Sequence, residues 1–152
     1  MSHHMIKGGF AASCLLVFIL SFTACDLETS GNGKLDGFWH LESIDTINGG
    51  FNDLSQRRLF WAFQAKLLEL TDRDGLHPQC LMRFEQGGGV LKLSDPYLYD
   101  REGGEGDHPL TGPDYLVPFG VNGVSENFTI EKLTGSKMIL NSGKLRLYFT
   151  KF

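Results

Sequence analysis

From residue 35 onward the chain alternates. Trp39 and Leu41 share one side of the stretch Gly37 to Ile47, Cys80, Met82 and Phe84 alternate with Leu81, Arg83 and Glu85, and Leu91 and Leu93 alternate with Lys92 and Ser94. The same period returns in Phe128 and Ile130, in Met138 and Leu140, and in Leu145, Leu147 and Phe149, which alternate with Arg146, Tyr148 and Thr150. Successive side chains of a strand point to opposite faces, so each run predicts a strand with one buried face. Turn-forming residues separate the runs: Gly49-Gly50, Asp72-Arg73-Asp74-Gly75, Gly87-Gly88-Gly89, Gly135-Ser136 and Asn141-Ser142-Gly143. Consecutive hairpins make an antiparallel meander. About eight strands over residues 35–152 close most simply as a small up-and-down barrel, which removes exposed sheet edges. The expected fold class is therefore all-β.

Three segments fit the alternation less simply. In Arg58 to Thr71 one parity holds Leu59, Trp61, Phe63, Ala65 and Leu67, and the other holds Phe60, Ala62, Leu68 and Leu70. The aromatic residues favour one long strand, bent or covered on both sides, over a helix built on the helix formers of the second half. Asp53 and Gln56 have capping-box spacing and predict a helical turn over Leu54 to Arg57. Asp95 to Pro118 is rich in Gly, Pro and acids, too long for a routine hairpin connection, and reads as an irregular loop.

The first residues carry a different pattern. Lys7 is followed by Gly8-Gly9, by the apolar run Phe10 to Phe22 and by Thr23-Ala24-Cys25. A basic start, an apolar stretch too short to span a bilayer and a small residue before a cleavage point describe a secretory signal. Met5 serves as an alternative start to Met1. Phe22-Thr23-Ala24-Cys25 resembles the bacterial lipobox, which implies cleavage before Cys25 and lipidation of that cysteine with a diacyl group on its sulfur and an amide-linked acyl chain on its amine, palmitate being a typical chain. The expected organisation is a signal-peptide helix (1–24), an acylated amino terminus with a flexible tether (25–34) and the barrel domain (35–152). The implied location is the Gram-negative cell envelope, lipid-anchored at Cys25, in the outer membrane sooner than the inner.

Composition narrows the chemistry. The chain has 152 residues, with 41% hydrophobic and 21% charged residues, enough for one globular domain. The net charge of −4 gives no sign of a nucleic-acid partner. With Cys14 removed and Cys25 acylated, Cys80 has no intrachain partner and reads as a small buried apolar residue. The acids Asp100, Glu102, Glu105 and Asp107 make the most metal-like stretch, but they miss the EF-hand spacing and read as a solvated loop. His40, His77 and His108 have no zinc-type spacing, and there is no P-loop, nucleophile elbow or dinucleotide fingerprint. Neither an enzyme nor a cofactor or metal is expected.

Gly37-Phe38-Trp39 matches the Gly-x-Trp of the first lipocalin strand. At the head of a meander and behind a lipobox, it resembles the small lipocalin-like lipoproteins of Gram-negative bacteria. The resemblance covers residues 35–152, which are shorter than typical lipocalins and lack their bridging cysteines. It implies that an Arg of a late strand packs over Trp39, and Arg146 is the matching candidate. It also implies a barrel just wide enough to be filled by side chains or to hold one small ligand. Two functions follow as expectations. In one, Trp61, Phe63, Met82 and Phe84 line a pocket for a small apolar or amphipathic ligand. In the other, the barrel is filled, and the Asp95–Pro118 loop with Tyr97, Tyr99 and Tyr115 contacts another envelope protein.

Overall fold

The computed structural model describes residues 31–101 and 106–152. The expected signal peptide and the acylation site Cys25 lie outside the described residues, as do Glu102 and Glu105. The strands are β1 (Gly37–Thr46), β2 (Phe51–Asp53), β3 (Leu59–Gln64), β4 (Leu67–Asp72), β5 (Cys80–Gly87), β6 (Val90–Leu98), β7 (His108–Pro109), β8 (Glu126–Leu133), β9 (Lys137–Asn141) and β10 (Leu145–Lys151). Eight of them form a closed antiparallel barrel in the order β1, β3, β4, β5, β6, β8, β9, β10. Closure is made by β10 returning to β1, in register from Trp39 opposite Lys151 to Thr46 opposite Leu145. The expected all-β up-and-down barrel is the fold observed. The two extra strands are short: β2 continues the edge of β1 beyond β3, and β7 lies on the end of β6.

The barrel has two distinct ends. At one, the hairpins after β3, β5 and β8 meet a single 3-10 turn, Gly33–Leu35, through which the chain enters β1. We call this the closed end. The other end, the mouth, carries the longer connections after β1, β4 and β6. The alternating residues point inward as the pattern requires: Trp39 and Leu41, Cys80, Met82 and Phe84, Leu91 and Leu93, Met138 and Leu140, and Leu147 and Phe149 are all buried. Each fully buried Leu, Met or Phe favours the fold by about 1.5–3 kcal/mol relative to exposure.

The expected long strand over residues 58–71 is instead a tight hairpin. β3 and β4 pair in register from Leu59 opposite Asp72 to Gln64 opposite Leu67, turning at Ala65-Lys66. The parity change explains the puzzle. Leu59, Trp61 and Phe63 face inward before the turn, and Leu68 and Leu70 face inward after it. Ala65 adopts φ 53°, a left-handed conformation that non-glycine residues take rarely, so no turn signal marked the site.

Two smaller expectations also change. Leu54 to Arg57 is a turn, not a helical turn: the Asp53 carboxylate accepts the Ser55 N–H and the Leu54 carbonyl accepts the Arg57 N–H, each at 2.9 Å, and the chain then extends into β3. Asp95 to Leu98 belongs to β6. Asp95 sits at φ 50°, where three steps on β6 oppose two on β5. This bulge shifts the inward positions from Leu91 and Leu93 to Pro96 and Leu98, which is why strict alternation lost the strand.

A charge cluster ties the β2–β3 break to the β4–β5 turn. The Asp72 carboxylate is buried and lies 3.0 Å from Arg57 Nη2. Asp74 accepts from Arg57 Nε at 3.1 Å, from Arg58 Nε at 2.8 Å and from the Arg58 backbone N–H at 3.0 Å. The Arg58 backbone bond, with the two guanidinium groups, holds the Asp74 carboxyl well below its ordinary value of 3.8. A depressed carboxyl stabilises the fold above its unfolded value and loses that contribution as pH falls through the folded value. Below about pH 4 the fold therefore weakens progressively. We expect Asp74→Asn to flatten the acid limb of a urea-midpoint profile between pH 5 and pH 2; an unchanged slope would assign the acid sensitivity elsewhere.

Candidate functional site

The closed end is built on Trp39, which is fully buried and donates its indole N–H to the Leu35 carbonyl at 2.9 Å. The cation over its ring is Lys151, with Nζ 5.1 Å from the centroid, and this corrects the expectation of Arg146. Arg146 lies in register with Asp45 and turns outward to Glu131, at 2.7 and 3.3 Å. Parity decides between them: Lys151 shares the inward phase of Leu147 and Phe149, and Arg146 has the outward phase. The Lys151 side chain crosses Gly37 and donates to the Lys34 carbonyl at 3.2 Å. A Cβ on Gly37 would stand 2.8 Å from Lys151 Cε, and Gly37 has φ +120°. The Gly-x-Trp spacing thus places the indole inward while its glycine leaves room for the strap above it.

Trp61, Phe63, Met82 and Phe84 are all buried in the hydrophobic core of the barrel interior, the three aromatics packed on other rings. Trp61 meets Phe149 and Phe128 edge-on, with centroids 5.0 and 5.9 Å apart, and Phe63 meets Phe84 at 5.0 Å. Such pairs add about 0.5–1.5 kcal/mol beyond the area they bury.

The mouth is filled by a segment that begins inside the expected Asp95–Pro118 loop and runs past its end. Leu116, Phe119 and Val121 are fully buried around a 3-10 turn, Val117–Phe119. The Phe119 carbonyl accepts the Trp61 indole N–H at 3.0 Å, so the plug satisfies the polar atom that the aromatic interior would leave unpaired. Gly120 makes the return at φ +87°, where a Cβ would stand 2.6 Å from Leu147 Cδ2. The signal for this plug was its composition, an apolar island (Leu-Val-Pro-Phe-Gly-Val) inside a polar connection.

Cys80 lies beneath the plug, fully buried, with Sγ 3.9 Å from the Tyr115 carbonyl. Burial pushes its thiol up to about 11. The thiolate is the reactive form, so maleimide at pH 7 should modify native Cys80 at least roughly 100-fold more slowly than urea-unfolded chain. Comparable rates would mean that the mouth stands open.

The polar candidates sit outside the barrel wall. His108 lies 3.4 Å from Asp100, and Arg101 3.8 Å from Asp107, so Asp100 faces an imidazole and Asp107 a guanidinium of the same loop. Among the described residues no group of His, Cys, Asp and Glu is arranged to hold a metal ion. His40 lies between Glu42, at 3.0 Å, and the Arg57 carbonyl, at 2.6 Å. His77 packs against the Phe119 ring at 6.5 Å. A groove of about 600 Å³ on the outside of β3 to β5 is lined by Gln64, Leu67, Glu69, Gln79 and Tyr99 among others. On the outer wall of β10, β1 and β3 an aromatic patch joins Phe38, Phe60 and Phe152, with ring centroids 5.1 and 5.5 Å apart, and the Arg73 guanidinium lies 4.8 Å from the Phe38 ring.

Comparisons with known proteins agree with this geometry. The barrel is similar to that of a lipocalin-like protein from Bacteroides uniformis, at 19% identity over 79% of this chain and 100% of the other, with a TM-score of 0.60. It is also similar to an uncharacterized protein from Bacteroides eggerthii, at 16% identity over 78% of this chain and 99% of the other, with a TM-score of 0.56. At these identities the likeness concerns the fold. No curated protein matches the sequence. The family profile described as a lipocalin-like domain matches residues 19–152, and the chain belongs to that family.

Proposed function

We propose that this chain is a lipid-anchored envelope lipoprotein whose barrel is filled by its own side chains, and that it acts as a non-catalytic module contacting another envelope protein. The observation that carries this reading is the plug. Leu116, Phe119 and Val121 take the space at the mouth, and Trp61, Phe63, Met82 and Phe84 are packed on their neighbours. Withdrawing three fully buried apolar side chains costs about 1.5–3 kcal/mol each, on the scale of a whole domain's stability. The contact surface on this reading is the mouth side, where Tyr97, Tyr115, Val117 and Leu76 are exposed. Exposed tyrosines offer rigid contact area at low entropic cost. The anchor rests on the lipobox-like Phe22-Thr23-Ala24-Cys25.

A second reading, binding of a small apolar or amphipathic ligand, is favoured by one feature. The plug is a loop, and its carbonyl meets Trp61 Nε1–H as a ligand acceptor would. Native mass spectrometry of the protein extracted from its host in mild detergent separates the two. The filled-barrel reading expects the acylated chain mass with no small molecule retained. A stoichiometric lipophilic mass would replace it with the second.

A further inference from the structure

Charge is distributed unevenly over the barrel. The chain as a whole is acidic, at −4, yet its closed end is basic. Lys34 lies in the 3-10 turn, Lys66 in the β3–β4 hairpin, Lys132 and Lys137 flank the β8–β9 hairpin, and Lys151 ends β10. These elements touch. Lys151 Nζ donates to Lys34 O at 3.2 Å, its backbone N–H donates to Ser136 O at 2.8 Å, and Asn32 Nδ2 donates to Ala65 O at 2.6 Å. Lys34, Lys66, Lys132 and Lys137 are exposed.

The nearby acids are fewer. Asp36 accepts from Asn32 Nδ2, Glu131 is paired with Arg146, Glu42 lies against His40, and Glu85 has Lys92 as its cross-strand neighbour. The mouth end has the reverse balance, with Asp53, Asp72, Asp74, Asp100, Asp107, Asp114 and Glu126 set against Arg57, Arg58, Arg101 and Lys144, while the Arg73 guanidinium reaches along the wall to the Phe38, Phe60 and Phe152 rings. Beside Lys151, Phe152 is held by its backbone N–H on the Phe38 carbonyl at 2.8 Å; its ring lies 5.5 Å from that of Phe60 and 5.9 Å from the Arg73 guanidinium, and the residue is still 79% exposed.

We propose that the closed end is a membrane-docking face, which settles on an anionic phospholipid surface through Lys34, Lys66, Lys132 and Lys137 with Phe152 at the headgroup boundary, and turns the acidic mouth away from the bilayer. The inference rests on the anchor read at Cys25. Two features select a lipid surface as the occupant. One is charge complementarity confined to this end. The other is where the chain leaves the barrel: Gly33 is at the same end, and the residues back to Cys25 reach at most about 30 Å when extended. Screening limits such attraction to roughly 8 Å at physiological salt, so it needs a tether that holds the face close. Aromatic rings beside cations suit the headgroup layer.

The acylated chain can be placed in vesicles of phosphatidylcholine alone or with one third phosphatidylglycerol, and lysine acylation by a water-soluble active ester followed site by site. We expect acylation of Lys34, Lys66, Lys132 and Lys137 to slow at least about tenfold in the anionic vesicles, with Lys144 unchanged. Each basic residue near such a surface strengthens association about fivefold. The Lys66→Gln/Lys132→Gln/Lys137→Gln variant, altered only at exposed positions, should lose the protection of Lys34. Equal rates in the two vesicles, or protection of Lys144 instead, would overturn the docking face. The mass of the amino-terminal peptide tests the anchor separately: an unmodified Cys25 overturns the anchor, whereas an acylated Cys25 with unprotected lysines overturns only the face.

Discussion

Phe119→Ala will lower the unfolding free energy by about 3–5 kcal/mol, the usual cost of emptying a buried phenylalanine site. For a barrel of this size that is a fall in Tm of roughly 10–20 °C. The expectation is large because Phe119 is fully buried although it belongs to a connection and not to a strand. Its backbone carbonyl would still accept the Trp61 indole N–H, so the loss is one of packing. The remaining hole is apolar and should stay dry, as such cavities do. Toluene should therefore raise the Tm of the variant by mass action and leave the parent chain unmoved. Cys80, beneath the same plug, should become maleimide-reactive in the folded variant. A parent chain that toluene stabilises would have room inside its barrel, and the filled-barrel reading would fall. A variant that melts within about 2 °C of the parent would show that the plug is not part of the core.

Much of the barrel was legible because a half-buried strand shows its orientation in every second residue. Cys80, Met82 and Phe84, Met138 and Leu140, and Leu147 and Phe149 needed only that rule. It failed where the backbone added or removed a step without a glycine. Ala65 and Asp95 both take positive φ, and each resets which parity faces inward. A rule that counts by twos reads a hairpin at Ala65-Lys66 as one two-faced strand, and a bulge at Asp95 as the end of one.

The error at Trp39 had a different source. The alternation of β10 already assigned Arg146 to the outer phase and Lys151 to the inner. The family likeness pointed to an arginine, and physical parity was the better guide. The plug was the least legible part. Nothing local states that an apolar island in a loop will fold back into a barrel, since that depends on the space which eight strands leave unfilled.

Asp72→Ala carries the second large effect, about 2–4 kcal/mol, and its value lies in separating two roles of one carboxylate. Asp72 Oδ2 lies 3.0 Å from Arg57 Nη2, while Oδ1 accepts the Asp74 N–H at 2.9 Å and Oδ2 the Leu76 N–H at 3.2 Å. The Asp72 side chain is fully buried and Arg57 is one-third exposed, so solvent screens the ion pair from one side. The two backbone donors belong to exposed residues, but their bonds to the buried carboxylate are part-buried, so water replaces the lost acceptor only in part. An unsatisfied buried N–H costs about 1–3 kcal/mol, so two partly relieved donors together still outweigh a half-screened pair. Arg57 also keeps a second carboxylate, Asp74 at 3.1 Å. The order of destabilisation in urea should therefore be Asp72→Ala greatest, Asp72→Asn intermediate because one acceptor survives, and Arg57→Ala least. Combining Asp72→Asn with Arg57→Ala should give a coupling of about 1 kcal/mol, within the range for residues in contact. If Arg57→Ala instead matches Asp72→Ala, with a coupling of about 3 kcal/mol or more, the ion pair and not the capped turn holds the β4–β5 corner to the β2–β3 break.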